Sequence, residues 1–341
     1  MFDIVISGTG SCIPPHVITN EDLLRAMGDK DKKWSEGLGI TERHSTAPLD
    51  FGTGRIQSPD FDELEMARQA AMKALTDANL IPNDISLLIY ATCTQREDRL
   101  HFSQTAIALQ HALGLPIDML VLEFDTGCSG AVHAIVTAFE ILQGGKRKNA
   151  LIVASNDPFQ FFDVNLYAKA GNSRSGFIFG SGAGAVVLSK KKHEKNFFDR
   201  GIIATYCGSS AESSIMKYGV VNDSPKPVYV IKSRDVLRFF PPYMHRSIEK
   251  LKEERTFLFE DIARFYIHQP DKNLFMRFLK DEEIPQEKTS IRVHKYGNLS
   301  AATLLVLLDE DRKAGLIHEN DLCLFVAMGA GMQFGAFLVR L

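Results

Sequence analysis

Long hydrophobic runs are missing from this chain of 341 residues: no apolar stretch approaches the ~20 residues that a membrane-spanning helix needs. No membrane span is therefore expected. The first ten residues hold Asp3 and no basic residue, so a secretory leader is not expected there, and the expected compartment is the cytoplasm. An excess of charge is missing as well. The 39 basic and 42 acidic side chains are mixed along the chain to a formal net charge of -3, which leaves no polyanion-binding face and excludes nucleic acid from the expected partners. Cysteine is scarce: Cys12, Cys93, Cys128, Cys207 and Cys323 are odd in number, scattered, and lack any CxxC or Cys/His spacing suited to zinc. Reduced thiols and no metal site are expected.

What is present is ordinary globular chemistry, 45% hydrophobic and 24% charged, in a length that suits one large domain or two fused ones. Short apolar runs alternate with helical patterns such as Asp62–Ala78 and Ser129–Gln143, the signature of α/β layering. Strand-like runs occur at Asp3–Gly10, Asp84–Thr94, Met119–Gly127, Asn149–Asn156 and Gly182–Ser189. A second set follows at Gly201–Gly208, Asp261–Gln269, Ser290–Tyr296, Asp321–Met328 and Gln333–Leu341. Each set closes with two strands near together. Two such units, 1–198 and 199–341, predict a duplicated α/β/α/β/α sandwich with helices between and outside two sheets. Ala47–Ser58 and Ser209–Pro227, rich in turn formers, are expected to be loops.

The chemistry-bearing residues sit at turns after these strands. Phe124-Asp125-Thr126-Gly127-Cys128-Ser129-Gly130 ends one strand and opens a helix that is apolar on nearly every side, hence buried. A thiol at that helix start lies at the positive end of the dipole, which favours thiolate and makes Cys128 a candidate nucleophile. The competing reading is a small buried cysteine that packs like alanine. His268, in Tyr266-Ile267-His268-Gln269-Pro270, and Asn298, in Tyr296-Gly297-Asn298-Leu299-Ser300, end two further strands. A neutral imidazole and an amide can both donate to a thioester oxygen, as enolate formation requires. Each alone also reads as a satisfied interior histidine or a turn residue. The glycine-rich Gly180-Ser181-Gly182-Ala183-Gly184 leads into a strand rather than a helix, so it is read as close packing and not as a phosphate loop.

Along almost its whole length the chain resembles the β-ketoacyl-ACP synthase III family of the thiolase superfamily. The stretches that carry the resemblance are ISGTGSCIPPHVITNEDL, GITERH, CSG at Cys128, FGSGAGAVVL from Phe179, IHQP at Ile267, YGNLSAA at Tyr296 and the terminal GAGMQFGAFLVR. The resemblance implies a thiolase-like fold and an acyltransferase in which Cys128 takes the acyl group from acyl-CoA. It implies His268 and Asn298 as the partners that bind the malonyl thioester of malonyl-CoA or malonyl-ACP, and the N–H groups of Cys128 and Gly331 as an oxyanion hole. It also implies no permanently bound cofactor, acyl carrier protein as a partner, and a homodimer. For the substrate rim it points to Trp34, Phe102, Phe161, Phe162, Ser233, Arg234 and Asp271, with Arg238, Lys272, Arg277 and Lys280 as further basic rim positions. Core packing for the aromatics, and a solvated charged face for the basic residues, remain the alternatives.

Departures from the family pattern fall on the rim. Asp271 stands where the family usually has Asn, Asn273 where it has Arg, Leu299 where it has Thr, Ser181 where it has Asp and Ala330 where it has Gly. The segment after Trp34 is one residue shorter and lacks an expected Arg. Three functions follow: decarboxylative condensation in lipid, fatty-acid or polyketide synthesis, acyl transfer to a small-molecule acceptor, or a catalytically silent partner subunit.

Overall fold

The computed structural model describes residues 2–27, 37–58, 61–94, 105–169, 177–193, 200–210, 216–220 and 227–341. Five strands, β1 (Phe2–Cys12), β2 (Leu87–Thr92), β3 (Leu120–Phe124), β4 (Asn149–Asn156) and β5 (Gly182–Lys192), form one sheet in the spatial order β1-β5-β4-β2-β3. Four more, β6 (Gly201–Ser209), β7 (Arg264–Ile267), β8 (Leu322–Gly329) and β9 (Gln333–Arg340), form a second sheet in the order β6-β9-β8-β7. The two repeat one pattern. In each, the first strand pairs antiparallel with the last, the last pairs antiparallel with its predecessor, and that strand pairs parallel with the next one out.

Period-two alternation explains the layering. In β4, Ala150, Ile152 and Ala154 face the central core while Leu151 and Val153 face an outer one. In β8, Cys323, Phe325 and Ala327 face the same central core while Leu324, Val326 and Met328 face the opposite outer one. Strands buried on both faces lose the polar alternation of a half-exposed sheet, which is why these segments read as continuous apolar runs. Helix α1 (Glu63–Asp77) covers the first sheet. Helices α2 (Gly130–Gly144) and α5 (Thr303–Lys313) lie between the sheets, and α3 (Ser233–Glu254) and α4 (Lys272–Asp281) cover the second. This is the five-layer α/β/α/β/α arrangement of a thiolase-like fold. No helix among the described residues is long and apolar enough to cross a membrane.

The fifth strand expected in the second sheet, Ser290–Tyr296, does not form. Its end is a short helical turn, Val293–Tyr296, and the one backbone bridge to the sheet edge among the described residues, Phe265 with Thr289, lies just ahead of the segment. Side chains take over what a ladder would have supplied. Arg264 donates to Ser290 Oγ, and the Gln269 amide donates to Ser290 O while accepting from the N–H groups of Arg292 and Val293. Ala47–Ser58, expected as a loop, carries a tight hairpin (Leu49–Asp50 with Arg55–Ile56), its turn closed by Asp50 Oδ1 accepting from Gly52 and Thr53 N–H.

Two buried acids pin α5. Asp309 accepts from Thr9 Oγ1 and Ser11 Oγ on β1, and Asp311 accepts from Arg264 Nε on β7 and from Ser290 Oγ. The helix is thereby tied to both sheets, and its N-terminal end carries the Asn298–Ser300 turn into the site.

Candidate active site

Two turns meet backbone to backbone at the centre of the molecule. The first, Gly127–Ser129, is a single 3-10 turn that runs straight into α2, with Gly127 at φ +56. The second follows β8. A side chain at Gly329 would stand 2.2 Å from Thr126 O, and one at Gly127 would stand 3.0 Å from Ala330 N. Glycine at both positions is what lets the turns touch.

Cys128 sits half-buried between them, and burial pushes its thiol up to about 11, against opposing hydrogen bonds from the side chains of Ser300 and Asn298. A helix start is worth up to ~2 kcal/mol to a nearby anion. The two-unit rise corresponds to roughly 3 kcal/mol. The resting thiol is therefore protonated at neutral pH, contrary to the expectation from the dipole alone.

Asn298 is 4% exposed and its amide is oriented by backbone: Oδ1 accepts from Ser300 N–H at 2.7 Å, which turns Nδ2 toward Cys128. The residue is clamped by the neighbouring loop, donating from its own N–H to Ile178 O and accepting from Gly180 N–H. His268, 2% exposed, leaves the end of β7 with its Nδ1 enclosed and unpartnered. Burial pulls its imidazole down to about 3, so the ring is neutral. Cys128, His268 and Asn298 share one cavity of about 340 Å³. Its walls are mainly apolar, including Leu38, Ile178, Phe179, Val236, Leu274 and Met328, and Asp271, Asn273 and Arg277 also contribute.

Models of the 3-oxoacyl-[acyl-carrier-protein] synthase III family match residues 122–209, and of its C-terminal part residues 253–341. The β-ketoacyl-[acyl-carrier-protein] synthase III of Chelativorans sp. is 30% identical over 345 residues, spanning all of both chains. The chain belongs to the β-ketoacyl-[acyl-carrier-protein] synthase III family. The Geobacillus kaustophilus member is also 30% identical, over 98% of each chain. Among solved structures, the synthase III of Aquifex aeolicus VF5 superposes over the whole of both chains with a TM-score of 0.80 at 27% identity. Xanthomonas campestris OleA with bound lauric acid and lauroyl-CoA shares the fold, with a TM-score of 0.81 at 20% identity over 99% of each chain. Members of this condensing-enzyme family are acyltransferases, and this chain is one of them by descent.

Against the family frame, the structure sorts the rim residues expected from sequence. Asp271 lines the cavity and caps α4, its Oδ1 accepting from Leu274 N–H. Asn273 donates to Gly37 O instead of offering the usual cation. Arg277 lines the cavity, with an exposed side chain paired to Asp281. Arg234 is exposed and does not line the cavity. Phe162 is buried in an aromatic cluster with Phe159, Tyr167 and Phe177, ring centroids 5.0 to 5.8 Å apart, and also stays off the cavity wall. The apolar surface of its neighbours claims it as core. Trp34 and Phe102 lie outside the described residues, as do the side chains of Phe161 and Ser233. Gly331 lies one residue beyond the wall: Ala330 lines the cavity and presents its N toward the Cys128 turn. Sequence reasoning did not single out Ala330 as a wall residue, nor Ser300 and Cys93, which stand behind Cys128. Their signal was present in the YGNLSAA motif and in the strand-end placement of Cys93.

Proposed function

We propose that the chain loads an acyl group from acyl-CoA onto Cys128 and condenses it with a malonyl thioester by decarboxylative Claisen chemistry. The observation that carries this reading is the convergence of Cys128, a neutral His268 and an oriented Asn298 amide in one largely apolar cavity. The Cys128 sulfur attacks the thioester carbonyl, the carbon–sulfur bond to pantetheine breaks, and the proton lost by Cys128 ends on the departing thiol. N–H groups of Cys128 and Ala330, in place of the expected Gly331, face the oxyanion. The malonyl thioester oxygen then accepts from His268 Nε2–H and Asn298 Nδ2–H. The bond to the carboxylate breaks, carbon dioxide leaves, the enolate carbon attacks the acyl carbonyl, and Cys128 departs as thiolate and takes a proton from solvent. A neutral histidine suits this role, because it donates to the developing enolate without needing a charge that burial opposes.

In this reading 1–198 and 199–341 are duplicated halves of a cytoplasmic enzyme, one carrying the nucleophile and the other the enolate-binding pair. The malonyl donor is carried by CoA or acyl carrier protein, and a second copy of the chain pairs along β3. That edge has no strand partner beyond β2 among the described residues, and its Leu120, Val121, Leu122 and Phe124 are only half-buried.

Intact-protein mass spectrometry with a panel of acyl-CoAs, followed by malonyl-CoA, tests the proposal. An acyl adduct on Cys128 discharged with release of carbon dioxide is the expected result. An adduct that malonyl-CoA and malonyl-ACP leave untouched would refute condensation in favour of acyl transfer to another acceptor. No adduct from CoA or carrier-protein donors would leave a silent subunit.

A further inference from the structure

Behind Cys128, off the cavity wall, a hydroxyl and a second thiol stand in line. Ser300 Oγ lies 3.3 Å from Cys128 Sγ and 2.8 Å from Cys93 Sγ, and Cys93 Sγ lies 3.3 Å from Asn156 Oδ1. The far end of this chain has a fixed sense. Asn156 Nδ2 donates to Gly180 O, so its Oδ1 is an acceptor. The middle is fixed as well. Ser300 is 1% exposed, its N–H is held by Asn298 Oδ1, its carbonyl accepts from Thr303 Oγ1, and it is kept at φ +50, a backbone region that a side-chain-bearing residue adopts only under constraint.

We propose that Ser300 is a further catalytic residue, whose hydroxyl turns onto the Cys128 sulfur as that sulfur becomes a thiolate, and that Cys93 is the positioning residue that permits the turn. With Cys128 protonated, Ser300 O–H points to Cys93 and Cys93 S–H points to Asn156 Oδ1. With Cys128 ionised, Ser300 O–H points to Cys128 and Cys93 S–H follows to Ser300 Oγ. Two hydrogens rotate and no heavy atom moves, so the anion gains a donor without reorganisation of the turn. Neither Ser300 nor Cys93 changes its proton count. The inference deepens the acyl-loading reading and rests on it for its catalytic meaning.

The titratable groups around the pair are His268 on the cavity wall, His133 on α2 beside Ser129 O, Asp125 ahead of the turn and Glu63 behind Cys93. The test leaves all four in place. Alkylation of Cys128 by iodoacetamide is followed from pH 6 to 10 and resolved from the other thiols by peptide mass. This readout does not depend on acyl loading. Ser300→Gly removes the hydroxyl and tolerates φ +50, so it keeps the turn where Ser300→Ala strains it. Its expected effect is a displacement of the rate profile by about one pH unit, a tenfold slower alkylation at pH 8. Cys93→Val is expected to slow alkylation in the same direction, and Cys93→Ser, which keeps a donor, to restore the wild-type profile. A Ser300→Gly profile that superposes on wild type would overturn the proposal, as would equal rates for Cys93→Val and Cys93→Ser. Variants that show these shifts, with a wild-type protein that takes no acyl group, would overturn the loading step alone.

Discussion

Gly180→Ala tests whether the loop beside Asn298 positions the amide. A Cβ at residue 180 would stand 1.7 Å from Tyr296 O and 2.9 Å from Tyr296 C. An unstrained carbon–oxygen contact lies near ~3.3 Å, so one of the two backbones must retreat by roughly 1.6 Å. Space and not backbone conformation is the obstacle, because Gly180 is not at positive φ. The displaced segment holds Asn298 through two backbone hydrogen bonds, Asn298 N–H to Ile178 O at 2.8 Å and Gly180 N–H to Asn298 O at 3.1 Å. Overpacking costs about 1–3 kcal/mol and each of the two weakened hydrogen bonds about 1 kcal/mol, giving a loss on the order of 3–5 kcal/mol. A misplacement near 1 Å typically lowers a positioned reaction by about 100-fold. The expected outcome is a melting temperature lower by several degrees. Condensation should be slower by about two orders of magnitude, with acylation of Cys128 within about tenfold of wild type. Differential scanning calorimetry and the two half-reactions measured separately would decide it. Wild-type stability together with wild-type condensation would refute the claim that this loop sets the position of Asn298.

Cys128→Ala should abolish the acyl adduct seen by intact mass; residual turnover at more than background would remove Cys128 as nucleophile. Asn298→Ala should retain the adduct and slow its discharge by malonyl thioester about 100-fold or more, read by carbon dioxide release in single turnover. Alkylation of wild-type Cys128 should keep rising from pH 7 to 9, as a thiol held near 11 requires, and a plateau below pH 8 would contradict that burial. Glu63, buried and pushed up to about 7, holds more protons folded than unfolded between about 4.5 and 7, so its contribution to stability is lost as pH rises through that window. Glu63→Gln should therefore be more stable than wild type at pH 8, by on the order of 3 kcal/mol in urea unfolding, and no more stable at pH 4.

Sequence was most legible where one physical rule acted alone. Residues that pack on both faces of a sheet must be apolar, so nine of the ten expected sheet strands were marked by composition. The helix after Cys128 is apolar on nearly every side because it lies between two sheets, and its burial was readable for that reason. Legibility failed where side chains replaced backbone partners. Ser290–Tyr296 has a strand's position in the repeat, but the Gln269 amide and the Arg264 guanidinium satisfy its polar groups and leave it free to coil. The candidate site divides in the same way. Strand-end positions pointed to Cys128, His268 and Asn298, whereas the inward turn of Phe162 depends on Phe159 and Phe177, which share no periodic pattern with it. That Ala330 and not Gly331 lines the cavity is a one-residue matter of where a hairpin turn bends, which spacing does not resolve.

The electrostatics of the cavity constrain any mechanism placed in it. Burial disfavours the charged form of both partners, pushing the Cys128 thiol up to about 11 and pulling the His268 imidazole down to about 3. A resting thiolate–imidazolium pair, the usual device of cysteine nucleophiles, is therefore not what this site is built to hold. The means available to it are donors beside the places where negative charge develops: Asn298 Nδ2 fixed by Ser300 N–H, the N–H groups of the two touching turns, and the Ser300 hydroxyl, which the proposed switch turns onto the sulfur. Such donors need no countercharge, and the apolar wall that raises the thiol also strengthens each of them once charge appears. Under the proposed loading reaction, a cavity of this kind keeps Cys128 protonated until a thioester arrives to receive the proton on its leaving sulfur.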